Sequence, residues 1–167
     1  MLRGNFVARI TLAMVTTVVL VIPQQATAGS SNGIGGGFSS GPDQFLVSGR
    51  MELGRVFEAA RFVPSADLGF GQNITAFSFN ADVRWYLGRL PDSGLRFYGS
   101  AGPTLAHYSG NKGGSATELG LSLTAGMKIP TRSGNGYNFE LRFGFGDIPD
   151  FKAVFHVMFG NKSQKKK

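Results

Sequence analysis

Between residues 75 and 129 large apolar and polar side chains alternate with a period of two, and within each segment the charges keep to one parity. From 76 to 87, Phe77, Phe79, Ala81, Val83, Trp85 and Leu87 take the odd positions, while Ala76, Ser78, Asn80, Asp82, Arg84 and Tyr86 take the even ones. A strand sends successive side chains to opposite faces, so this segment is a ribbon with one greasy face and one polar, charged face. The pattern recurs, cut into pieces by turn signals, and predicts strands at 33–39, 44–54, 60–71, 74–88, 94–108, 116–129, 137–146 and 151–159. Gly41-Pro42-Asp43, Glu58-Ala59, Gln72-Asn73, Leu90-Pro91-Asp92-Ser93, Gly110 to Gly114, Pro130 to Gly136 and Asp147-Ile148-Pro149-Asp150 connect them. All connections are short, so the eight strands follow one another as hairpins in an antiparallel up-and-down barrel. The first is glycine-rich, with only Ile34 and Phe38 to pack. It is included because an even count brings both chain ends to one side of the barrel.

Parity then sorts the charges. One face collects Arg50, Glu52, Arg61, Asp67, Asp82, Arg84, Arg96, Glu118, Lys128, Glu140, Arg142 and Lys152. The other carries no charge and includes Phe77, Phe79, Trp85, Phe97, Leu121, Phe143 and Phe155. A soluble, lipocalin-like barrel would turn the grease inward to hold an apolar ligand, whereas a membrane barrel does the reverse. Volume favours the second closure. An eight-stranded interior is just wide enough for side chains to fill, and this many aromatic, Leu, Val and Met side chains would overfill it. The polar set, rich in small residues and near-balanced in charge, fits. Several segments also reach the ~9–11 residues a tilted strand needs to cross a bilayer. The expected fold class is therefore all-β, an eight-stranded antiparallel transmembrane barrel with a polar, salt-bridged lumen. Trp85, Tyr86, Tyr98, Tyr108 and Tyr137 lie toward strand ends, where an interfacial girdle or ordinary cross-strand packing would each account for them.

The N-terminus changes the picture of location. Arg3 and Arg9 precede an apolar run over 10–22, and Ala26-Thr27-Ala28 is an A-x-A site, so 1–28 reads as a signal peptide cleaved after Ala28. The apolar run is shorter than the ~18 residues of a spanning helix. Residues 29–160 then form one barrel domain and 161–167 a Lys-rich tail. The absence of Cys removes disulfides, thiolate metal sites and thiol catalysis. The formal net charge of +7 falls to +1 once the two leader arginines and the four lysines Lys162, Lys165, Lys166 and Lys167 are set aside. No basic stripe with interleaved aromatics is left to follow a nucleic acid.

Chemistry is sparse. His107 falls on the apolar parity near a strand end, and Ser109 beside it has no nearby carboxylate. His156 falls on the polar parity, as a hydrogen-bonding residue rather than a base. No metal-ligand spacing or phosphate-binding glycine loop in a strand-then-helix context occurs, so no cofactor is expected.

Four stretches carry a resemblance. They are Phe62-Val63-Pro64-Ser65-Ala66-Asp67-Leu68-Gly69-Phe70-Gly71, Phe79-Asn80-Ala81-Asp82-Val83-Arg84-Trp85-Tyr86, Gly99-Ser100-Ala101-Gly102-Pro103, and Gly144-Phe145-Gly146-Asp147-Ile148-Pro149-Asp150-Phe151-Lys152. Together they are similar to the small bacterial outer-membrane β-barrel family. The resemblance implies a monomer in the outer membrane of a Gram-negative bacterium, with outer-membrane lipid and the barrel-assembly machinery as partners. That machinery reads a terminal aromatic of the last strand. Here Phe159 is followed by Gly160 and the Lys-rich tail. The family fold hosts adhesins, anchors, pores and lipid-modifying enzymes, so it does not dictate an activity. The expectation is a structural, envelope-related protein without catalysis. A soluble periplasmic barrel or a narrow, low-conductance pore remain the alternatives.

Overall fold

The computed structural model describes residues 31–57, 60–110, 113–131 and 135–160. The expected leader and its cleavage site, the Glu58-Ala59 connection and the Lys-rich tail lie outside the described residues. Among the described residues the strands are β1 (Ser31–Ser40), β2 (Gln44–Glu52), β3 (Arg55–Phe57), β4 (Ala60–Gly71), β5 (Ile74–Arg89), β6 (Arg96–Gly110), β7 (Ser115–Pro130), β8 (Gly136–Phe145) and β9 (Phe151–Gly160). Antiparallel pairing runs β1–β2–β4–β5–β6–β7–β8–β9 with β3 also on β4, and β1 pairs with β9 from Ser31↔Gly160 to Ser40↔Phe151, which closes the cylinder.

The nine segments occupy eight wall positions. The expected 44–54 strand is broken: β2 ends at Glu52, and β3 continues along β4 after a register shift. The Leu53 N–H still donates to the Phe62 carbonyl at 2.9 Å, so the ladder bends there rather than stopping. The expected start of β6 at 94 moves to Arg96, because Gly94 belongs to the turn with φ +66°. The 33–39 strand is real and longer than expected. Its glycines have a steric reason. A Cβ on Gly35 would sit 2.8 Å from the His156 Cα, and one on Gly37 would sit 2.8 Å from the Val154 Cα. Only glycine lets β1 coil this closely over β9 to complete the barrel.

The apolar face is outside. Phe79, Trp85, Phe97, Leu121, Phe143 and Phe155 are exposed, while Phe77 is half-buried between its neighbours. Arg84 is 0% exposed and Leu121 62%. This is the reverse of the closure a lipocalin-like barrel uses, and it overturns that alternative. Between the rims no outward-facing strand position carries Asp, Glu, Lys or Arg.

Both mouths are narrowed by apolar side chains on the inward parity. Toward the end that carries Ser31 and Gly160, Val63 and Met158 are buried. At the other end Leu46, Ala76, Ala106, Ile148 and Val154 are buried. Ile148 comes from the 146–150 connection, which folds back over the opening. The Gly144 N–H donates to the Asp150 carbonyl at 2.9 Å to hold it there.

Candidate functional site

Three strata of ionic groups fill the cylinder between these apolar ends. Each is set by the parity of the strands that bring it in. Nearest the end bearing Ser31 and Gly160, Glu52 on β2 accepts from Arg61 (3.1 Å), Lys128 (2.8 Å) and the Tyr86 hydroxyl (2.8 Å). In the middle, Glu140 on β8 pairs with Arg50 across the lumen and lies 3.6 Å from Arg84 and 3.7 Å from Arg142. The Tyr98 hydroxyl donates between Asn138 Oδ1 (2.8 Å) and Glu140 Oε2 (3.0 Å). Beyond it, Arg142 grips Asp82 with both terminal nitrogens, at 3.3 and 2.5 Å. Asp67 accepts from Lys152 (2.8 Å), Ser48 (2.7 Å) and Asn80 (3.2 Å).

The charges are enclosed but not isolated. A buried ion costs several kcal/mol unless other ions and hydrogen bonds replace its water. Here each buried carboxylate meets at least one cation within 3 Å or a forked guanidinium, the geometry in which Arg binds carboxylates best. Neutral side chains stitch the strata together. Thr104 donates to Asn80 (2.9 Å), and Asn80 donates to Ser65 (3.0 Å). Arg84 is the exception. Among the described residues its guanidinium nitrogens find no hydrogen-bond acceptor, and Glu52 is 3.9 Å away. Its Cζ lies 3.7 Å above the Tyr98 ring instead, a desolvated cation–π contact worth about 2 kcal/mol.

Several sequence expectations need correction. Arg96 is not in the lumen network; it is exposed at the rim, 5.7 Å from the Tyr86 ring, because β6 begins there. Glu118 is half-buried near the opposite end and forms no ion pair among the described residues. Tyr98 belongs to no interfacial girdle; it is 1% exposed and central to the lumen. Tyr86 points inward to Glu52. The apolar plugs Leu46, Val63, Val154 and Met158 were not singled out by sequence reasoning. Their parity, shared with Ser48, Asp67, Lys152 and His156, was the signal that could have found them.

Among the described residues one arrangement has a catalytic silhouette, and its polarity is wrong. His156 Nε2 lies 2.9 Å from Ser48 Oγ, and Ser48 Oγ lies 2.7 Å from Asp67. A hydroxyl has one proton, and next to a carboxylate it donates there. His156 Nε2–H is therefore the donor to Ser48, which leaves Nδ1 bare, and Nδ1 finds no partner. A nucleophilic serine needs the opposite: its proton on the imidazole and the carboxylate on the far ring nitrogen. All three groups are buried. His107 lies outside the cylinder, 2.8 Å from Thr117, with no carboxylate among its hydrogen-bond partners. No group of three or more His, Asp or Glu among the described residues is arranged to hold a metal.

No protein-family model and no curated protein sequence matches the chain. Solved structures do. The N-terminal β-barrel domain of Pseudomonas aeruginosa OprF matches with a TM-score of 0.66 at 17% identity, over 82% of this chain and 100% of that one. Neisserial surface protein A matches with a TM-score of 0.57 at 14% identity, over 80% and 95%. The Yersinia pestis outer membrane protein Ail, in a phospholipid bilayer nanodisc, matches with a TM-score of 0.54 at 12% identity, over 80% and 99%. At these identities the likeness establishes the fold: this chain has the closed eight-stranded barrel of outer-membrane proteins.

Proposed function

We propose that the chain is an integral protein of a Gram-negative outer membrane that carries out no catalysis and serves the envelope as a sealed, rigid cylinder. One observation carries this reading. The outward face is apolar on all eight wall positions and free of charge between the rims, while the ionic groups are enclosed. Such a surface is stable only against hydrocarbon. A charge there costs about 2–4 kcal/mol near the bilayer midplane, which accounts for the outward charges being confined to the ends. In water the same belt would be an exposed apolar patch far beyond what a soluble monomer tolerates. The likeness in fold to OprF, Neisserial surface protein A and Ail supports the same location.

Membrane fractionation tests this. The protein is expected in the outer-membrane fraction, resistant to alkaline carbonate, released by detergent, and shifted in gel mobility by boiling. Release by salt or carbonate without detergent would sink the reading. The absence of catalysis rests on the inverted Ser48–His156 polarity and on the burial of both groups.

A further inference from the structure

The end of the barrel that carries Ser31 and Gly160 is lined by cations that oppose one another. In the strand register Arg55 faces Arg61, and Arg61 faces Arg84. On the next walls Arg89 faces Arg96, and Arg96 faces Lys128. These are two cross-strand rows of three like charges, an arrangement that is destabilising by itself. The described carboxylates at this end offset only part of it. Glu52 is engaged by Arg61, Lys128 and Tyr86, and Asp92 in the β5–β6 turn makes no ion pair among the described residues. Arg55, Arg89 and Arg96 likewise make no ion pair with any described residue. Beneath them the enclosed Arg84, 3.6 Å from Glu140, has no hydrogen-bond acceptor for any of its three nitrogens among the described residues.

The surface here is concave. A mouth of about 400 Å³ is lined by Arg55, Arg61, Tyr86, Arg89 and Arg96, with Leu87 on its outer lip. The register shift between Tyr86 and Gly88 brings this about, since it turns Arg89 to the same side as Arg96 and Lys128.

We propose that this arginine-lined mouth is a binding site for a phosphate-class anion, either a free oligophosphate or the headgroup of an anionic phospholipid. Guanidinium forks bind phosphate oxygens bidentately, and a polyanion in the mouth would draw Arg55, Arg89 and Arg96, which form no ion pair with any described residue, together as ligands. The site requires only the folded barrel, so its failure leaves the membrane reading untouched.

Isothermal titration of the full chain in phosphatidylcholine vesicles with inorganic pyrophosphate tests the proposal. Saturable binding is expected, weakening with added salt. The Arg89→Gln, Arg96→Gln double variant should lose about tenfold or more in affinity. It should keep its heat-modifiable gel shift, since neither side chain forms an ion pair with a described residue and their neutralisation relieves repulsion. Asp150→Asn, at the opposite end, should bind as the parent does. In vesicles with added phosphatidylglycerol, loss of the pyrophosphate response identifies the lipid headgroup as occupant, and its persistence identifies the free anion. No saturable binding in phosphatidylcholine, or equal affinity in the double variant, overturns the site.

Discussion

Glu140 shows how much of this protein rests on single side chains. It is 2% exposed and balances Arg50, Arg84 and Arg142 at once. Removing one partner from a buried ionic set leaves charges without compensation, at a cost of about 3–5 kcal/mol. Glu140→Gln is therefore expected to lower the unfolding free energy of the refolded barrel, measured by urea titration, by that amount. Tyr98→Phe removes only the hydroxyl and keeps the ring under Arg84, so it should cost about 1–3 kcal/mol. A smaller effect of Glu140→Gln than of Tyr98→Phe would contradict the assignment of Glu140 as the hub. Parity alone read Glu140 and its cations onto one face. It could not tell which cations share a stratum, because stratum depends on stagger between strands, and single-strand patterning is blind to stagger. Arg96 and Glu118 illustrate this: both have the right parity, yet the first reaches the rim and the second sits near the far end with no ion pair among the described residues.

At the scale of strands, glycine separates two situations that look alike in the sequence. Gly35 lies where β1 coils against the backbone of β9, whereas a Cβ on Gly49 of β2 would meet nothing within 4 Å. Gly35→Val is expected to abolish the heat-modifiable folded band, and Gly49→Ala to leave it intact. The alternation made β5 and β7 legible because each is long and packs one clean face. The glycine run of β1 was hard to read for the opposite reason: its inward side chains are absent so that the barrel can close. The break between β2 and β3 was also hidden, since Leu53-Gly54 continues the alternation while the ladder bends. The exterior offers a depth gauge on these same strands. Leu123, midway along β7, and Leu87, near the end of β5, are both outward and exposed. If hydrocarbon surrounds the wall, Leu123→Arg should destabilise by about 2–4 kcal/mol and Leu87→Arg by no more than about 1 kcal/mol. Equal, small effects at both positions would mean that water reaches the whole face.

For the molecule as a whole, the outcome turns on whether the cylinder is a pipe or a post. Eight strands leave an interior that side chains can fill, and here they do. Arg84, Asn80, Asp82, Asn138 and His156 are each 0% exposed in the central section, and apolar side chains narrow both mouths. An ion crossing such a lumen would need to break charge pairs in three successive strata. The wild-type protein is therefore expected to give no stepwise conductance in planar bilayers. The middle stratum is the place to reverse this. Arg84 and Tyr98 are among the largest fully buried side chains and lie against each other. Replacing both with Ala removes a ring and a guanidinium from one level, and leaves Glu140 with Arg50 and Arg142 to hold the wall. That variant, provided it keeps the heat-modifiable band, should admit small cation-permeable steps, because the lost positive charge leaves carboxylates facing the new space. Conductance in the parent protein, or a folded double variant that stays silent, would show that something other than this packed stratum controls passage.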